Sequence, residues 1–136
     1  MSAKKFLCVI LFPLVLSACG STPSWDGYSP VEATALQGMG ISAEEAKRYQ
    51  AMGFNSSTIK QWFDEGIPAQ QNITAWHDVG FSAQDAGGWH AAGFTLRDAY
   101  DWRDANFNAV DAKKYKEQGA TLKAAQKMRK QGIPLK

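Results

Sequence analysis

The chain has 136 residues, of which 45% are apolar, 12% aromatic and 21% charged, and its formal net charge is +2. This length suits one domain better than two, and the apolar and aromatic content excludes wholesale disorder. Two cysteines, Cys8 and Cys19, cannot build a disulfide-dense scaffold and match no zinc spacing, and so small a net charge argues against a nucleic-acid binder.

Residues 1–18 carry the three parts of an export signal. Lys4 and Lys5 are followed by an apolar run from Phe6 to Leu16, broken only by Pro13, and then by small residues. The run is shorter than the roughly 20 residues that a membrane-spanning helix needs. It ends in Leu16-Ser17-Ala18-Cys19, followed by Gly20. This stretch resembles the lipobox of bacterial lipoproteins. The resemblance covers only the signal region. It implies that residues 1–18 are removed and that Cys19 becomes a lipid-bearing N-terminus. Gly20 is not the aspartate that favours the inner membrane, so the resemblance implies the outer membrane, with the periplasmic face preferred to the cell surface. Several acyl chains anchor a protein stably, because each buried methylene contributes about 0.8 kcal/mol. Residues 19–26 then serve as a short tether, reaching at most about 25–30 Å when extended.

From residue 27 glycine is periodic, at Gly27, Gly40, Gly53, Gly66, Gly80, Gly93, Gly119 and Gly132. The unit is 13 residues, with one of 14 after Gly66 and with Asn106 where a glycine is missing. Asn is the next best residue for a left-handed helix cap. The glycine is followed by Tyr28, Ile41, Phe54, Ile67, Phe81, Phe94, Phe107 and Ala120, and then by a cap column, Ser29, Ser42, Asn55, Ser82, Thr95, Asn108 and Thr121. Three residues after five of these caps stands an acid, Glu32, Glu45, Asp85, Asp98 or Asp111, placed to reach back to the cap amide. A small or branched column (Ala33, Ala46, Ile59, Ile73, Ala86, Ala99, Ala112, Ala125) precedes a large one (Leu36, Tyr49, Trp62, Trp76, Trp89, Trp102, Tyr115, Met128) by three residues.

Each unit therefore predicts one helix of roughly nine or ten residues, ended by glycine and restarted almost at once. Residues 27–136 read as an all-α array of about eight such helices, solenoid-like or a compact bundle. Helices this short are marginal alone, so neighbouring units must bury each other's faces. Only twelve Ile, Leu or Val remain after residue 18, which points to a core of alanine and aromatics. An aromatic cage for a sugar is the alternative, but recurrence of the aromatic in every unit favours the core. Met52-Gly53-Phe54 is similar to the loop of ubiquitin-associated domains; in an exported chain this reads as shared turn physics.

Departures from the repeat mark candidate sites. Gly87 and Gly88 stand mid-helix, where each costs roughly 0.8–1 kcal/mol against alanine. Close packing accounts for them, or a groove that admits a small ligand. His77 and His90 share one repeat position and complete that candidate groove. They make no metal site alone, and two solvated histidines are the plainer reading. Pro68 replaces a cap, and the run to Asn72 reads as a kink or exposed loop. The sequence holds no catalytic triad order, phosphate loop or His-Glu-x-x-His helix, so a non-enzymatic role is expected, with no cofactor beyond the lipid on Cys19.

Charge is segregated. Residues 20–105 carry five bases against eleven acids, or −6, and residues 106–136 carry eight bases against two acids, or +6. Lys113, Lys114, Lys116, Lys123, Lys127, Arg129 and Lys130 form a candidate interaction surface for an anionic envelope component or an acidic envelope protein. A solvated face, or head-to-tail self-association of acidic and basic ends, are the other readings. The function expected is that of an outer-membrane lipoprotein whose helical repeats are an interaction or structural module. A small-ligand or cell-wall-binding lipoprotein is the alternative.

Overall fold

The computed structural model describes residues 24–67 and 73–133. The expected export signal, the lipobox-like stretch with Cys19, and the expected kink from Pro68 to Asn72 lie outside the described residues.

Among the described residues the fold is all-helical, without strands. The helices are α1 (Pro30–Gly38), α2 (Ala43–Ala51), α3 (Ser56–Asp64), α4 (Ile73–Asp78), α5 (Ala83–Ala91), α6 (Leu96–Asp104), α7 (Ala109–Glu117) and α8 (Leu122–Lys130). Seven of them are nine residues long, below the roughly 12–15 residues at which an isolated helix becomes stable.

Local chemistry sets both ends. Ser29, Ser42, Asn55, Ser82, Thr95, Asn108 and Thr121 are the N-caps, and each side chain accepts the amide three residues on. Each such cap is worth about 1 kcal/mol. The expected return bond from the acid to the cap amide forms only where the acid is glutamate: Glu32 reaches Ser29 N at 3.0 Å and Glu45 reaches Ser42 N at 2.9 Å. Aspartate is one methylene shorter. Asp85 and Asp111 bond instead to the side chains of Ser82 (2.6 Å) and Asn108 (2.8 Å). In α3 the return bond comes from Thr58, which accepts from Asn55 N at 2.8 Å.

The eight periodic glycines all have positive φ, between 66° and 94°, and Asn106 joins them at φ 61°. Except after Gly27, where Tyr28 N reaches Trp25 O, the residue after each one bonds back five residues, as in Phe94 N to Trp89 O (3.1 Å) and Phe107 N to Trp102 O (3.0 Å). This is the Schellman closure, which satisfies the last carbonyls of the helix. It also brings the two aromatic columns together. Trp76–Phe81, Trp89–Phe94 and Trp102–Phe107 meet edge to face at 4.9–5.0 Å, a geometry worth about 0.5–1.5 kcal/mol beyond burial.

The principal helix contacts join first or second neighbours along the chain: α1 with α3, α3 with α5, and α5 with α4 and α6, then α6 with α7. The core runs continuously along the array, with Ala46, Ala86, Ala99, Ala112 and Ala125 at 0% exposure and Trp62, Trp76, Trp89 and Trp102 at 4–7%. Small alanines let the helices approach and the indoles fill the remaining space. The expectation of an alanine-and-aromatic core holds in the second half of the chain. In the first half the largest fully buried side chains are aliphatic: Leu36, Ile59, Ile67 and Ile73.

Candidate functional site

The repeat position immediately after the large column, held in the last five units by His77, His90, Arg103, Lys116 and Arg129, does structural work that the sequence pattern did not disclose. Helix α6 lies across the turn that follows α4, and Arg103 donates to Val79 O at 2.6 Å and Gly80 O at 3.0 Å. Its guanidinium also sits 3.9 Å from the centroid of Phe81. Lys116 on α7 does the same two helices back, donating to Gly93 O at 2.9 Å above Phe94. Arg129 on α8 donates to Asn106 O at 2.9 Å and lies 3.4 Å over Phe107. Each of these three left-handed turns thus has a carbonyl that accepts from a cation and an aromatic face covered by it. Lys116 and Arg129, two of the seven residues of the candidate basic surface, are therefore held against turn carbonyls while remaining exposed.

His77 occupies this position against Phe54, edge to face at 4.9 Å, with Asp78 Oδ1 3.6 Å from its Nδ1. His90, at the same position, is exposed; the aromatic is replaced at its counterpart turn by Ile67. Among the described residues no group of three or more His, Cys, Asp or Glu is gathered as a metal site.

The expected groove around Gly87, Gly88, His77 and His90 divides. Gly87 is not a groove residue: it is a point of close helix approach. A Cβ there would lie 2.7 Å from Glu65 O and 2.8 Å from Glu65 Cβ, at the C-cap of α3. Gly88 is different, since a Cβ there would meet nothing within 4 Å. It opens onto a cleft of about 380 Å³ bordered by Gly80, Asp85, Trp89, Arg103, Phe107 and Asn108. His77 borders another cleft, of about 230 Å³, with Gly53, Thr58, Trp62, Phe81 and Ser82. The two are one repeat site seen twice, because Gly53, Trp62, Phe81 and Ser82 correspond to Gly80, Trp89, Phe107 and Asn108 two units later. In the first, Gln61 stands where Gly88 stands in the second. The aromatics below these clefts are 3–7% exposed, so they present edges rather than open faces.

The remaining bases are on the outside. Lys113 lies 3.9 Å from Glu117 and Lys114 3.8 Å from Asp111, loose exposed pairs of little net stability. Lys123, Lys127 and Lys130 are exposed and have no ion-pair partner among the described residues. The acids of the first half are partly engaged. The bonds from Ser29 hold the Glu32 carboxyl below the usual carboxylate range, and those from Ser42 do the same for Glu45. Burial raises the phenols of Tyr28 and Tyr49, and the Tyr28 hydroxyl donates to Ala46 O at 2.7 Å. Among the described residues no helix is long and apolar enough to cross a membrane.

Comparison of the chain with protein-family models, with curated proteins and with solved structures gives no match.

Proposed function

We propose that the chain is a bacterial envelope lipoprotein, held at the outer membrane by lipid on Cys19, whose helical array is a non-enzymatic interaction or structural module. The observation that carries this reading is Leu16-Ser17-Ala18-Cys19 at the end of a positively started, 11-residue apolar run. The array suits such a role, since repeated short helices present an extended outer surface. Its recurrent carboxylates argue in the same direction: Glu32, Glu45, Asp85 and Asp111 are engaged in helix caps. The partner is an envelope protein or an anionic envelope component.

Replacing Cys19 by Ala is expected to abolish labelling by radioactive palmitate and to release the protein into the soluble periplasmic fraction. Membrane retention that survives a high-salt wash, which removes electrostatic binding, refutes the anchor. Affinity capture of the tethered wild type from detergent-solubilised envelopes should recover a partner that is lost with the array.

Gly88 favours a second reading, in which the cleft bounded by Asp85, Trp89 and Arg103 takes a small ligand. No packing neighbour accounts for this mid-helix glycine. Titration with envelope components, followed by tryptophan fluorescence, tests it; Trp89 borders the cleft, and a flat response eliminates the site.

A further inference from the structure

The outermost stripe of each helix is formed by the residues four, eight and eleven places after the periodic glycine. On α8 these are Lys123, Lys127 and Lys130. At 100° per residue they fall within an arc of about 60°, so they make one row along the exposed side of the helix. No other helix has an all-basic row: α6 carries Arg97, Asp101 and Asp104 there, and α7 carries Val110, Lys114 and Glu117. Among the described residues none of the three lysines has an ion-pair partner.

We infer that this row docks the C-terminal end of the array onto a bilayer containing anionic phospholipid. Three properties favour a headgroup surface over an acidic protein. The row consists of lysines, flexible and strongly hydrated point charges, rather than arginine with its planar fork. Arg129, the one arginine on α8, is exposed but already committed to Ala105 O and Asn106 O. The row also lacks the aromatic and arginine anchors in pockets that dominate protein interfaces. Immediately beyond α8, Ile133 is 45% exposed, so this end of the array also offers an apolar side chain. The geometry has a consequence for the proposed lipoprotein, on which this part of the inference rests. With lipid before α1 and the lysine row on α8, both ends of the array meet the membrane, so the array lies along the bilayer.

The test uses residues 20–136, which contain the whole packed core from Trp25 to Met128 and lack Cys19, so its outcome does not depend on lipidation. Binding is measured by co-sedimentation with vesicles of phosphatidylcholine alone, and of three parts phosphatidylcholine to one part phosphatidylglycerol. The fragment is expected to bind only the mixed vesicles, and less tightly as salt is raised. The triple variant Lys123→Gln, Lys127→Gln, Lys130→Gln should lose about 100-fold in affinity with unchanged helicity. A control with the same loss of charge elsewhere, Lys47→Gln, Lys60→Gln, Arg97→Gln, should lose less than about fivefold. Equal losses in the two variants, or equal binding to both vesicle types, overturn the inference. So does a fragment that ignores vesicles but forms concentration-dependent oligomers that the α8 variant abolishes, which assigns the row to a second copy. Release of the Cys19→Ala protein in cells, alongside a fragment indifferent to phosphatidylglycerol, overturns the docking and leaves the anchor standing.

Discussion

Gly87 and Gly88 are adjacent in α5, yet the structure assigns opposite signs to the same substitution. Replacing either by alanine removes backbone freedom from the unfolded chain and improves helix propensity by about 0.8–1 kcal/mol. At Gly88 nothing offsets this, since the new Cβ meets no atom within 4 Å. At Gly87 the Cβ would fall 2.7 Å from Glu65 O, 2.8 Å from Glu65 Cβ and 2.9 Å from Glu65 Oε2. The carboxylate can swing aside, but the carbonyl belongs to the C-cap of α3, where Glu65 takes φ −80° and ψ 6°. Relief therefore requires α3 and α5 to separate along a well-packed contact, and overpacking of this kind costs about 1–3 kcal/mol. Gly88→Ala should stabilise by about 1 kcal/mol, and Gly87→Ala should destabilise by up to about 2 kcal/mol. In thermal melts these become a rise of about 4 °C and a fall of up to about 8 °C. Urea and thermal unfolding should be followed by far-UV circular dichroism and by tryptophan fluorescence together, because repeat arrays can unfold in parts. If Gly87→Ala stabilises as much as Gly88→Ala, the close approach of α3 and α5 is wrong.

Three further predictions follow from the turns and caps. Among the described residues Asn106 is the non-glycine residue held in the left-handed region, at φ 61°, so Asn106→Val should lower stability by about 1–2 kcal/mol while Asn106→Gly does not; urea midpoints of the two variants decide this. Arg103→Met should cost about 1–2 kcal/mol by leaving Val79 O and Gly80 O without their donor and Phe81 without its cation, and Arg103→Lys, lacking the planar fork, should recover less than half; equal stability of Met and wild type would refute the bridge. Acid should weaken the fold through Glu32 and Glu45, whose folded pKa values are depressed by their cap bonds. Their contribution is complete above the unfolded value, about 4.3, and is lost as pH falls through the lower folded values. Melting temperature measured against pH should therefore decline below about 4.3, and less steeply in Glu32→Gln, Glu45→Gln.

Much of the fold was legible because its information is local. A left-handed glycine, a cap two residues later and an aromatic pair five residues apart are short-range devices, and their recurrence announced helix boundaries, turn conformation and the buried columns. The same locality explains the failures. A cap acid can be identified by spacing, but whether it reaches the cap amide depends on one methylene, which separates Glu32 and Glu45 from Asp85. The candidate site was legible in outline only. His77 and His90 share a repeat position, yet His77 faces a ring two helices back whereas His90 has Ile67 as its counterpart. Lys116 and Arg129 read as free positive charge until helix packing placed turn carbonyls and phenylalanine faces beneath them.

The sequence by itself determined the unit: where each helix starts, where it stops, which face is apolar, and how charge divides between the two halves. Only the tertiary structure decided which units touch. That choice makes Gly87 a contact and Gly88 an opening, ties Arg103, Lys116 and Arg129 to turn carbonyls, and leaves Lys123, Lys127 and Lys130 as the unpaired outward row. The physical reason is range. Caps and turns are settled by atoms a few residues apart along the chain, whereas a cation over an aromatic two helices away exists only after the array has packed.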